Sequence, residues 1–210
     1  MSPNRATAHH WSLLLTLLIW TLPLAADPGL TPPQQVIERV SDGLRRVLRE
    51  DRDRLASDPQ YVYRLVDELL VPNIDVARLS ALALGPVWRE ATPAQREAFA
   101  EELKRTLIRT YATAVDALGE WQIQYLPTPF EPDQERAVVR TRIRRPGGEP
   151  ISVDYRMARR GERWLAYDVA IEGVSLLVNY RSTFVRLARE KGVDGLIEEL
   201  ARHNAERAEP

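Results

Sequence analysis

The side chains able to do covalent or acid–base chemistry are few and scattered in this 210-residue chain. Cysteine is absent, and two of the three histidines, His9 and His10, fall in the N-terminal segment 1–26, just before its apolar run. A Ser-His-Asp triad, or a zinc site of the usual nitrogen and sulfur kind, would have to rely on His203 in the polar C-terminal stretch. Carboxylates are the remaining candidates. Asp154, Asp168 and Glu172 lie on neighbouring predicted strands or at a corner, and could approach one another as the acids of a glycosidase do. Each reads more readily as a cap for backbone groups or a partner for one of the many arginines. Pro146-Gly147-Gly148-Glu149 is a hairpin turn, not a phosphate-cradling loop. The reading is of a protein with no catalytic residue, metal site or cofactor.

The plentiful residue types suit another task. Residues 167–181, YDVAIEGVSLLVNYR, carry an alternating strand (Tyr167, Val169, Ile171) into Glu172-Gly173 and then, through Ser175, into an apolar-faced helix. Such a corner can line an apolar space. It has little to offer a reaction, and points to a protein that holds a greasy ligand rather than transforming one.

Helical spacing frames the first half of the chain. Thr31-Pro32-Pro33 opens a stripe of Val36, Ile37, Val40, Leu44, Val47 and Leu48. Asp58-Pro59 starts a second helix, which Pro72 ends, and Asp75 caps a short third one stopped by Gly85-Pro86. Thr92-Pro93-Ala94-Gln95 has the form of a capping box and opens the longest helix, whose stripe is Phe99, Leu103, Leu107, Tyr111, Val115 and Leu118, with Gly119 as its stop. The period then drops to two. Strands are expected around residues 121–125, 137–144, 151–157 and 164–171, joined by tight turns as an antiparallel meander. Two helices, at 175–190 and 194–205, close the chain. The fold class is α+β: a four-stranded, curved antiparallel sheet packed against several helices around an apolar cavity.

Residues 1–26 read as an export signal cleaved near Ala26, with Arg5 as its positive end and the apolar run 11–22 as its core. That run is shorter than the ~20 residues a spanning helix needs. Cleavage removes one arginine and no acid, leaving 28 basic against 30 acidic groups, a balance that gives no reason to expect nucleic-acid binding. Export without cysteine suggests a periplasmic protein. Residues 27–210 form one domain: a helical part at 27–119, the sheet at 120–173 and the C-terminal helices at 174–207.

The chain resembles the MlaC / toluene-tolerance family of phospholipid-binding components of lipid-transport ABC systems, which has a hopanoid-associated branch. The residues carrying the resemblance are Leu84-Gly85, Trp88-Arg89, Ala91-Thr92, Gln95-Arg96, Phe99 and Tyr111. A second and more specific block is Trp164, Asp168-Val169, Ile171-Glu172-Gly173-Val174-Ser175-Leu176 and Asn179-Tyr180-Arg181; Thr183 departs from the longer polar residue often found there. The resemblance implies a cone related to nuclear-transport-factor-like domains with a helical annex. It implies a shuttle for phospholipid, or a hopanoid-like lipid, between an outer-membrane lipoprotein complex and an inner-membrane ABC transporter with an MCE-domain subunit. A periplasmic chaperone or adaptor holding apolar polypeptide is the alternative.

Periodicity nominates the lipid-binding positions: Val66, Leu69, Leu70, Leu103, Leu107, Tyr111, Val139, Ile143, Val153, Tyr155, Val169, Ile171, Val174 and Leu177. About half should line a cavity and the rest belong to core. The Arg140, Arg142, Arg144 and Arg156 row reads as a solvated sheet face.

Overall fold

The computed structural model describes residues 29–116 and 121–206. The expected leader, and Leu118 and Gly119 at the expected end of the long helix, lie outside them.

Helix α1 (Pro32–Glu50) starts where Gln34 Oε1 accepts the Thr31 backbone N–H at 2.8 Å, with Pro32 in the first turn. A short α2 (Arg52–Ser57), not expected from the sequence, fills the link to α3 (Pro59–Leu65), which Asp58 caps through the Tyr61 N–H. The expected second helix does not run regularly to Pro72. It widens into a π-helical turn, Val66–Leu70, and then tightens into a 3₁₀ turn, Val71–Asn73. Asp75 caps α4 (Val76–Leu84) through the Arg78 N–H, gives its own N–H to Ala166 O at 2.8 Å and pairs with Arg160. It therefore fastens the helical half to the sheet. Gly85 turns the chain with φ 58°, and a Cβ there would lie 3.0 Å from the Arg181 guanidinium, so two motif residues meet at this stop. The Thr92/Gln95 capping box then opens α5 (Pro93–Asp116).

The sheet runs β1 (Gln122–Tyr125), β2 (Arg136–Arg144), β3 (Ile151–Arg160), β4 (Arg163–Ile171) and β5 (Val174–Ser175), all antiparallel and in chain order. Among the described residues five strands replace the expected four. Glu172 (φ 49°) and Gly173 (φ 78°) both adopt left-handed backbone, which reverses the chain tightly enough for Val174-Ser175 to pair back onto β4. The β3–β4 register slips at Arg156/Met157, leaving Tyr167 as an extra residue on β4; such a bulge bends and twists a sheet. Helix α6 (Leu176–Glu206) breaks at Gly192 (φ 76°), between the two closing helices expected.

Among the described residues two hydrophobic cores form, and they share no residue. One is helical: Leu84, Phe99, Leu103, Phe184, Leu196 and Leu200 centre it, between α4, α5 and α6. The other joins Val36 and Ile37 of α1 to Val139, Met157 and Trp164 of the sheet. Between α5 and α6 the buried Asn204 amide donates to Glu102 O and Glu102 Oε2 while its oxygen accepts from Thr106.

At the corner between sheet and α6, Asp168 is 2% exposed and takes three donors: Arg156 Nη1 at 2.9 Å, Ser175 Oγ at 2.7 Å and the Leu177 N–H at 3.2 Å. Ser175 Oγ in turn accepts the Val178 N–H at 3.1 Å. Replacing Asp168 with Ala leaves the Arg156 guanidinium, the Ser175 hydroxyl and the Leu177 N–H of α6 without this acceptor. The expected loss is about 2–4 kcal/mol by urea denaturation. A loss under ~0.5 kcal/mol, the size of an ordinary surface change, would show that the corner does not rest on this carboxylate.

Candidate functional site

Residues directly opposed across antiparallel strands point to the same side of a sheet. The register aligns Val139–Tyr155–Val169 in one row and Tyr125–Thr141–Val153–Ile171–Val174 in the next. A third row joins Ile123, Ile143 and Ile151. The strand candidates Val139, Ile143, Val153, Tyr155, Val169, Ile171 and Val174 therefore share one face. Ile123 and Ile151 belong to it too, although the sequence reading passed over them; the alternation in each strand already carried that signal.

Cover over this face is graded. Near Val139 it is closed by Val36 and Ile37, and Val139 itself is 1% exposed. Toward the β4–β5 turn, Ile143, Ile151, Val169 and Ile171 stay half-buried. Val174, at the rim, is 60% exposed, and Val178 one helical turn later is 64% exposed. Val153 is buried, but it belongs to neither core.

The helical candidates divide differently. Leu103 is embedded in the helical core, whereas Leu107 and Leu177 lie half-buried along its edge. Tyr111, one turn beyond Leu107, has the Tyr180 phenol of α6 as its neighbour. Val66, Leu69 and Leu70 all sit on the π-helical turn, half-buried and outside both cores. Wide turns of this kind recur at functional sites because they push side chains out of the regular helical stripe. This one is held on two sides. Leu69 lies against α1 at Gly43, where a Cβ would come within 2.6 Å of Leu69 Cδ1, and Asp67 pairs with Lys104 of α5 at 2.8 Å. The continuation of the α1 stripe, Val40, Leu44, Val47 and Leu48, is likewise half-buried. The sequence reading found that stripe but did not assign it to the site.

The polar groups here are mostly phenols. Tyr125 donates to Glu38 Oε2 at 2.7 Å, and Glu38 Oε1 accepts from Arg45 at 3.2 Å. Loss of hydration, reinforced by that bond to Glu38, pushes the Tyr125 phenol far above its usual range. Burial alone pushes Tyr155 up to about 12; burial, then Tyr180, does the same to Tyr111. The three carboxylates considered for acid–base work do not form a cluster. Asp168 is committed to the corner, Glu172 takes the Ser152 N–H and Asp154 stands opposite Arg140. Among the described residues no three His, Asp or Glu side chains come together to hold a metal ion.

The raised phenols have a consequence for stability. Folded Tyr111 and Tyr155 keep their protons to about pH 12, whereas the ordinary phenol value is 10.0. Their contribution is complete below the lower value and is lost as pH rises through the higher one. The urea midpoint should fall between about pH 10 and about pH 12, and Tyr155→Phe should flatten part of that fall. A midpoint constant over the interval would contradict the placement of both phenols.

Residues 38–202 match the family described as MlaC protein. The toluene tolerance protein ttg2D of Pseudomonas putida is 26% identical over 176 residues, covering 81% of each chain. The intermembrane phospholipid transport system binding protein MlaC of Haemophilus influenzae is 23% identical over 192 residues, covering 90% of this chain and 88% of that one. A phospholipid-binding protein from Ralstonia solanacearum, solved in complex with a phospholipid, superimposes with a TM-score of 0.79 at 31% identity, covering 85% of this chain and all of that one. With its helices, its antiparallel meander and a family match over most of its length, the chain belongs to the MlaC protein family.

Proposed function

We propose that this chain is a periplasmic lipid carrier. It binds the acyl chains of a phospholipid between the sheet face and the helical layer, and leaves the head group near solvent. The observation that carries this reading is the pair of separate cores, with half-buried aliphatic side chains of β2, β4 and the π-helical turn belonging to neither. A domain of this size ordinarily closes such surface into one contiguous core. Family membership and the phospholipid-bound relative support the same assignment.

The energetics explain why a carrier needs no reactive groups. Two acyl chains hold roughly 28 methylenes, and exposing them to water costs on the order of 20 kcal/mol, which bars unaided passage through an aqueous compartment. A carrier has only to imitate the bilayer closely enough that loading and unloading are nearly balanced. The shuttle route, from an outer-membrane lipoprotein complex to the MCE-domain subunit of an inner-membrane ABC transporter, follows from the family resemblance and is part of the proposal. So are the cleaved leader and the single domain over residues 27–210.

Purified protein should carry phospholipid through gel filtration, seen by mass spectrometry of an organic extract. Repeatedly empty preparations that take up no lipid from vesicles, yet keep unfolded clients soluble, would replace the carrier with a holding chaperone. Leu107→Trp adds bulk at the edge of the helical core and should lower lipid occupancy while moving the melting temperature by only a few degrees. Collapse of the fold in that variant would mark Leu107 as core instead.

A further inference from the structure

Among the described residues only two large hydrophobic side chains stand open to solvent, Val174 and Val178. They are neighbours: Val174 opens β5 just after the tight turn, and Val178 follows one helical turn later at the start of α6. Helical spacing continues their line through Arg181, Ser182, Val185 and Arg189, of which all but the half-buried Val185 are exposed. Tyr180, Phe184, Leu187 and Ala188 turn the other side of the helix into the helical core.

The charge on this outer face has one sign. Residues 173–189 hold Arg181, Arg186 and Arg189 and no Asp or Glu. The acids that bound the run are both engaged, Glu172 by the Ser152 N–H and Glu190 by Arg186 at 2.9 Å. Arg181, bent over Gly85, and Arg189 make no salt bridge with any described residue. The chain as a whole has a formal net charge of −1, so attraction to an anionic surface has to come from a local face such as this one.

We infer that the outer face of α6 docks on an anionic lipid bilayer, with Val174 and Val178 entering the head-group layer and Arg181 and Arg189 meeting lipid phosphates. Aliphatic side chains beside unpaired guanidinium groups are the pattern of an interfacial helix, whose arginine stems lie along the boundary. Two valines are too little for a stable protein interface, which is anchored by larger groups such as Trp or Tyr. They suit a contact made and broken at each visit. Val174 also continues the apolar row of Val153 and Ile171, so docking brings the rim of the sheet face to the membrane. An acyl chain then leaves the bilayer without first crossing water. That role in transfer rests on the carrier reading above.

The test is sedimentation of the purified protein with vesicles of equal parts phosphatidylglycerol and phosphatidylcholine, and with vesicles of phosphatidylcholine alone. Wild type should bind the anionic vesicles in clear preference, and lose them at ~0.5 M salt, where exposed charges are screened. Arg189→Gln should weaken binding about five-fold, the worth of one cation at an anionic surface, and Val178→Asp at least as much. Both positions are exposed, so both variants should melt with wild type and purify with as much lipid, while lipid uptake from the anionic vesicles slows in step with binding. Arg39→Gln, which removes an exposed charge from α1, should bind as wild type does. An equal loss there would mean an attraction unrelated to this face and overturn the assignment. Unchanged binding by Val178→Asp would overturn it too. So would a wild type that binds vesicles only when a membrane protein is built into them, which would give the face to a protein partner. Binding as expected, with no lipid ever taken up, would remove the carrier reading and leave the docking face standing.

Discussion

Asp168 collects a guanidinium, a hydroxyl and a backbone amide at the point where the sheet gives way to α6. The hydroxyl and the amide belong to the segment that leaves the sheet, so the carboxylate fixes where α6 begins relative to β4. Helix α6 then supplies Phe184, Ala188, Leu196 and Leu200 to the helical core. The position of that core against the sheet is thus set by one buried anion and a two-residue turn. A second link, from Asp75 to Ala166 and Arg160, ties the base of α4 to the same strand. These polar fasteners hold the layers without requiring that their apolar surfaces meet.

Leaving apolar surface half-covered has a cost, at about 25 cal/mol for each Å² not removed from water. The chain has no disulfide to offset it. Stability comes instead from well-formed helix starts and from satisfied polar networks such as Glu102–Thr106–Asn204, together with edge-to-face packing of Phe99 on Phe184 and stacking of Tyr180 on Phe184. A ligand that covers the exposed aliphatic groups stabilises the folded state in proportion to its occupancy. Structure and binding are therefore two aspects of one incomplete burial.

Much of the fold was legible in residue order because its signals are local. Caps at Thr31, Asp58, Asp75 and Thr92 and the break near Gly192 act through neighbours in the chain, and each fell where expected. The β5 strand was not legible, since it depends on left-handed backbone at Glu172 as well as Gly173, and only the glycine announces itself. The π-helical turn was also missed. An extra residue in a turn leaves no mark in periodicity when the residues on either side, Val66, Leu69 and Leu70, are apolar anyway.

The sequence by itself determined which side chains are apolar and which face of each element they occupy. It also determined that cysteine is absent and that histidine is scarce. Tertiary structure decided which of those apolar faces meet. Leu103 and Leu107 are one helical turn apart on the same stripe, yet one is sealed in the helical core and the other lies at its edge. Periodicity is fixed by backbone geometry within an element, so it can be read from one strand or helix alone. The difference between core and wall is a distance between elements, set here by Asp168, Asp75 and the register of the strands.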